Sequence, residues 1–595
     1  MKKNNLYKAL AVMTVLAGFS SCSDDYLDTE PITNISSEQA VNTTKAAQMT
    51  VYGICRIMHT QYPDVSSPRA CNGEATYDQA INEILGPDNT SFFNMGEYGR
   101  NWYTWSLVTN KLATINDNAW AYCYMFVSRA NDIIATIGSA SGAEAERKWI
   151  EAQARTLRAH GYIKALQWFA PRWQDSNNGE AYAVVLRTEP GTGPAPLGTM
   201  NQVLGLIYSD LTTAISLYQE SKMQRKNEWE PDLGVAYGLF ARAAMIKNDW
   251  ATAQDMAHNA QAGRSVMSAS EFMSGFISSN NDYMWNNTGN DVYYSSFGSW
   301  YSCNGAYPSN WGRGFSINLD LYNQLDPNDI RRDVFFTPDK MEIIADMCAT
   351  YAQQSTDPEE VQYYTALANA SAVMTEDDFW KASNVSAGTM DCSKNNQLLA
   401  AMCQEFILGY VWSNNPVAKT KATSYPYHYA GNTGWVLTSC QLGASFKMWS
   451  SGWNGSYGDS DYPYMRATEM VLTEAEAAYM AGDEKTAKSK LEEVNKKRIA
   501  GYACTSTGAD LLNEIRICRR VELWGEGYNF TDFKRWNIPA EERAWKEGDP
   551  TSGNTPANYA SRHEPSACNG WRLAIPQSES DFNPGFDRNL LNYSE

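Results

Sequence analysis

Between Glu144 and Ala170 small and apolar residues recur at steps of three and four. Ala154, Leu157, Gly161, Ala165 and Trp168 share one face, and Ile163, Leu166 and Phe169 share a second. That spacing matches a helix of 3.6 residues per turn, and two apolar faces predict a helix packed on both sides. Comparable periodicity predicts helices near residues 38 to 59, 117 to 139, 199 to 220 and 233 to 262, with others around 357 to 374 and 395 to 411.

Two stretches add a longer rhythm. In VAYGLFARAAMIKNDWATAQDMAHNAQ, Ala241, Ala253 and Ala260 are separated by twelve and seven residues, and Ala475 and Ala487 repeat the twelve-residue step across the turn AGDE. Small residues at those steps let paired helices approach closely, as in tetratricopeptide repeats of about 34 residues. Two unrelated alanine-rich hairpins would show the same spacing. From about Arg264 to Tyr462 the chain turns to Gly, Ser, Asn and aromatics with shorter periodic runs, and long loops of that kind on a compact protein carry function.

Composition narrows the class. The 595 residues are 43% hydrophobic and 19% charged, enough for a substantial core, and the formal charge of −19 with no basic cluster opposes binding to nucleic acid or an anionic lipid surface. Lys2, Lys3 and Lys8 precede the apolar run Ala9 to Phe19, which is export-signal length and shorter than a spanning helix. Ser20 and Ser21 then precede Cys22, a pattern that resembles a bacterial lipobox, so residues 1–21 are expected to be removed and Cys22 lipidated. A plain secretory peptide is the alternative. The acidic stretch SDDYLDTEP after Cys22 resembles a cell-surface export signal of lipoproteins, and it is equally a solvated tether over 22–37. Eleven cysteines remain beyond Cys22, with no CxxC pair and no Cys/His cluster at metal spacing. Cys55, Cys123, Cys403 and Cys518 read as small core residues, whereas Cys303, Cys392 and Cys568 lie in loops where pairing stays open.

Several separated segments, in order, carry a family resemblance: CSDDYLDTEP; AWAYCYMFVSRANDIIATI; EAQARTLRAHGYIKALQWFA; IYSDLTTAISL; PDLGVAYGLFARAAMIKNDWATAQDMA; DPNDIRRD; YPYMRATEMVLTEAEAAYMAGD; EIRICRRVELWGEGYNFTDFKRW; and LAIPQSESDFNPGFDRN. The set resembles the SusD/RagB family of outer-membrane nutrient-binding lipoproteins and spans nearly the whole chain. Cys518, Val521 and Trp524 depart from the family's pattern at packing positions. The resemblance implies a mainly α fold, a tetratricopeptide-like helical-pair superhelix with an irregular, loop-rich ligand-binding part. It places the scaffold at 38–263 and 463–595 and the variable part at 264–462 of a single domain over 38–595. It further implies a lipid-anchored protein on the outer face of the outer membrane, capturing glycans for a SusC-like TonB-dependent barrel without cofactor or metal.

The chemistry of a sugar, apolar C–H faces rimmed by hydroxyls, calls for flat exposed rings beside Asn, Asp or Arg. FFNMGEYGRNWYTW offers Trp102 and Trp105 beside Arg100 and Asn101, and VYYSSFGSWYSCNGAYPSNWGRGF offers Trp300, Tyr301 and Trp311 followed by Arg313. Dilution by Gly and Ser without regular period argues for exposure, although Trp and Tyr are as readily core residues. Trp449 and Trp453 form a third candidate. Glu522, Glu526 and Asp532, among Arg519, Arg520 and Arg535, read as ion pairs that stabilise helices rather than as catalytic acids. A surface glycoside hydrolase needs two carboxylates about 5 to 9.5 Å apart, and 67 acidic residues leave that possibility open, as does a non-glycan nutrient such as a peptide. No HExxH, GxSxG or P-loop is present, and the five His (59, 160, 258, 428, 563) are scattered. The acidity favours neutral glycans unless local arginines override it.

Overall fold

The structure is a computed structural model. It describes residues 41–591 apart from 59–72, 84, 91–104, 106–107, 192, 275, 277–278, 288–315, 379–400, 403–404, 407–442, 446, 448–460, 550, 556, 558–559 and 565–569.

The predicted periodic stretches form helices: α1 Thr44–Ile57, α2 Thr114–Thr136, α3 Glu144–Phe169, α4 Met200–Ser221, α5 Leu233–Lys247 and α6 Trp250–Ala260. Downstream come α7 Met341–Gln354, α8 Pro358–Val373, α9 Ala467–Met480, α10 Glu484–Asn495, α11 Gly508–Glu522 and α12 Asn529–Trp536. Starts follow local chemistry. Thr199 and Gln202 make a reciprocal capping box ahead of α4, while Asp232, Asp249 and Asp483 accept from the backbone N–H three residues on at α5, α6 and α10. Among the described residues no helix is long and apolar enough to cross a membrane.

Antiparallel neighbours pack in sequence order, α2 on α3, α3 on α4, α5 on α6, α9 on α10, and α6 also lies against α9. Helix α3 is buried on both faces, as its two apolar stripes predict, and its closest approach is at Gly161. A Cβ there would lie 2.7 Å from the carbonyl oxygen of Cys123 on α2. Ala241, Ala253, Ala475 and Ala487 are each fully buried at hairpin interfaces, and Ala260 nearly so. Cys55, Cys123 and Cys518 are buried as expected; Cys303, Cys392, Cys403 and Cys568 lie outside the described residues. Most of the stretch 395 to 411 does too.

The strands are short: β1 Asn89–Thr90, β2 Tyr182–Val185, β3 Leu197–Thr199, β4 Tyr283–Asn287, β5 Ser316–Ile317, β6 Phe335–Phe336, β7 Ala444–Ser445, β8 Tyr462–Arg466, β9 Ala540–Glu542 and β10 Ser561–His563. They form a sheet of order β1-β5-β7-β6 and the antiparallel pairs β4/β8, β2/β3 and β9/β10. All five positions of β4 and of β8 are buried, so that ladder runs through the core rather than over its surface.

Candidate functional site

The short strands hold the ends of the aromatic stretches. Strand β1 ends where 91–104 begins, and Thr90 lies opposite Ser316, the first residue after 288–315. Ser316 in turn lies opposite Ala444 on β7, three residues before Lys447, which borders 448–460. The opposite ends meet in the second ladder, where Asn287, the last residue before 288–315, faces Tyr462, which with Asp461 follows 448–460. Three stretches more than a hundred residues apart in sequence are therefore rooted on adjacent strands. One contact requires a glycine: Gly443, at φ 81°, donates to the carbonyl of Phe336 and accepts from Ile317, and a Cβ on it would lie 2.9 Å from the Ile317 carbonyl oxygen.

Buried charges tie the two ladders together. Lys447 is fully buried, and its ammonium donates to the carbonyls of Glu522 (2.7 Å) and Trp524 (2.8 Å) and to Oε1 of Glu526 (2.5 Å). Glu526 also accepts from Nε (2.7 Å) and Nη2 (2.8 Å) of Arg466 at the end of β8, and Nη1 of Arg466 donates to Asp282 at 2.8 Å. Glu522 accepts two hydrogen bonds of 2.9 Å from Arg498 and one from Arg331, which is itself held by Asp329 and Asn495. Burial raises the Glu522 carboxyl, but Arg498, Arg466 and Arg331 overcome it and hold it well below the carboxylate range. Arg520 pairs with Asp88, and Asp532 accepts from Arg519 (2.6 Å) and Arg535 (2.9 Å). The charged cluster is thus a set of ion pairs, as the sequence suggests, but almost all of them join different elements; within one helix only Asp532–Arg535 does so.

A second buried layer lies beside β1. Glu83 accepts from the backbone N–H of Gly527 (2.6 Å) and Tyr528 (3.2 Å) and from Asn89 (2.5 Å), and burial pushes its pKa up to about 8 against those donors. Asp88 fastens to Arg520, and its carbonyl accepts from the indole of Trp524 at 3.0 Å.

One expected platform ring is corrected. Trp105 is 5% exposed, with its ring stacked on His563 (centroids 4.5 Å apart, 6° between planes) and edge-on to Trp571 and Phe530. Both Trp105 (φ 58°) and Trp571 (φ 62°) hold left-handed backbone, a strained state for bulky residues that persists here because the ring cluster packs around it. Trp105 closes its stretch at the core, so Gly/Ser dilution upstream says nothing about its own environment. Arg100, Asn101, Trp102, Trp300, Tyr301, Trp311, Arg313, Trp449, Trp453 and the lipidation candidate Cys22 lie outside the described residues. Lys447, Asp282 and Arg466 had no sequence signal, because a lone Lys before an aromatic run reads as solvated surface. Among the described residues no group of His, Cys, Asp and Glu gathers as metal ligands.

A helical frame of paired hairpins carrying short-stranded ladders defines a class of scaffold that works through contacts along its surface. The profile of the SusD family matches residues 272–593, more than half of the chain, and the protein belongs to that family. A SusD-like carbohydrate binding protein from Bacteroides vulgatus ATCC 8482 superposes with a TM-score of 0.64 at 19% identity, covering 93% of this chain and 99% of its own. A SusD superfamily protein from Bacteroides thetaiotaomicron VPI-5482 gives 0.60 at 18% (92% and 99% covered), and one from Parabacteroides distasonis ATCC 8503 gives 0.58 at 14% (93% and 99%). At these identities the likeness concerns the fold. No curated protein matches the sequence.

Proposed function

We propose that the protein captures oligosaccharides at the cell surface on an aromatic platform built from the 91–104, 288–315 and 448–460 stretches, and passes them uncleaved to a SusC-like TonB-dependent barrel. The observation that carries this reading is that the residues flanking the three stretches pair on neighbouring strands; on this reading Trp102, Trp300, Tyr301, Trp311, Trp449 and Trp453 serve one ligand although the sequence separates them. The carbohydrate-binding description of one structural neighbour and the sugar-binding description of another support a glycan over a peptide. Lipidation at Cys22 would hold the platform outside the outer membrane, with 22–37 as its tether.

Affinity electrophoresis and calorimetry over neutral plant and host glycans test the reading, with product analysis alongside. Joint replacement of Trp300, Tyr301 and Trp311 by Ala is expected to abolish retention while leaving the far-ultraviolet dichroism intact. Retention that survives it refutes the platform, and released sugars would establish a hydrolase instead. Labelled palmitate in the wild-type chain but not in Cys22→Ala is the expected sign of the anchor.

A further inference from the structure

A cleft of roughly 870 Å³, solvent in its mouth included, opens between the C-terminal end of α3 and α12, with Tyr464 of β8 and the buried Glu526 in its wall. The carboxylates that line it are already satisfied: Asp78 by Lys164 at 2.7 Å, Glu469 by Arg242 at 2.7 Å, Glu526 by Arg466 at 2.7 Å and Asp532 by Arg519 at 2.6 Å.

The hydrogen-bonding capacity left over is mostly of the opposite kind. Arg242 engages acceptors through Nε and Nη2, Arg519 through Nε and Nη1, and Arg172 through Nε and Nη2, so each keeps one guanidinium nitrogen without an acceptor among the described residues. Trp173, half-buried and packed in part against the core, also lines the cleft. Lys534 is 5% exposed and donates to the carbonyls of Gln167 and Ala170, both at 2.7 Å, at the end of α3. No carboxylate accepts from it among the described residues, and Asp175 only partly offsets the cations around it. Burial, then the neighbouring Arg572 and Arg172, push its ammonium well below the lysine range, a like-charge repulsion that an anion in the cleft would offset.

We infer that this cleft holds a hexuronic acid residue, its carboxylate on the free guanidinium nitrogens and its C–H face on Trp173. The chain's −19 charge opposes acidic ligands only at long range, where salt screens it within about 8 Å, whereas guanidinium donors act at contact. The choice of a sugar rests on the proposed function, and the described lining of the cleft contains none of the platform rings named there.

Titration calorimetry of the purified full chain with galacturonate, glucose and inorganic sulfate tests it. Galacturonate is expected to bind saturably and at least about tenfold more tightly than glucose or sulfate, and Trp173→Ala and Arg172→Ala should each weaken it about tenfold with an unchanged thermal transition. The Trp300/Tyr301/Trp311 triple variant should leave galacturonate binding intact, and Trp173→Ala should leave neutral-glycan retention intact, so the two sites fail independently. Equal binding of glucose, sulfate as tight as galacturonate, no galacturonate heat, or indifference to Trp173→Ala would each overturn the assignment.

Discussion

Replacing Lys447 by Met tests whether the buried charges hold the loop roots. The substitution keeps most of the side-chain volume but strands one buried carbonyl, that of Trp524, leaves the Glu522 carbonyl with only the 3.2 Å bond from Arg466, and removes one of the two cations on Glu526. A buried acceptor left without a donor costs about 1–3 kcal/mol, and breaking a buried ion pair from one side costs about 3–5 kcal/mol, so a loss of roughly 4 kcal/mol is expected. Arg466 keeps Glu526 partly neutralised, which sets the estimate in that range rather than above it. Unfolding entropies near 2.1 cal/mol/K per residue give roughly 1.2 kcal/mol/K for a chain of this length, so the midpoint should fall by about 3 °C. Differential scanning calorimetry at pH 7 resolves that shift. Glycan retention should weaken in parallel, because Lys447 borders 448–460 and pins β7. A midpoint within about 1 °C of wild type, with retention unchanged, would show that the ammonium is dispensable and that the ladders hold the roots alone.

Glu83 gives the pH dependence a sign. Its folded-state pKa of about 8 lies above the ordinary carboxylate value, so the stability contributed by the bound proton is fully present below the ordinary value and is lost as pH rises through about 8. Thermal midpoints should therefore fall between pH 6 and 9, and Glu83→Gln should flatten that slope; an unchanged slope would refute the assignment. Gly161→Ala should destabilise by about 1–3 kcal/mol in urea titrations, because the new methyl meets the backbone of Cys123, which cannot move aside; a neutral outcome would mean that α2 and α3 slide apart freely. Trp105→Ala should cost about 3–5 kcal/mol by the same assay, as expected of a ring packed in the core, and a loss below about 1 kcal/mol would point back to an exposed ring.

The helical frame was legible in the sequence because its signals are local. Apolar residues three and four apart fold into α3 whatever lies elsewhere, twelve-residue alanine steps mark α5/α6 and α9/α10, and capping residues such as Asp232 and Asp483 stop or start helices by bonding their own neighbours. The aromatic stretches were legible as composition, and the family followed from motifs in order. What the sequence could not show is which of those residues meet. Trp105 looks like its neighbours along the chain yet is buried, because Phe530, His563 and Trp571 arrive from more than four hundred residues away. Lys447 looks like a surface cation, yet β7, α11 and the turn after it close over its ammonium. Long-range pairing decides burial, and burial decides whether a charge or a ring is structure or surface. The rooting of three distant stretches on adjacent strands, like the donor-rich cleft beside Trp173, exists only once the chain has folded.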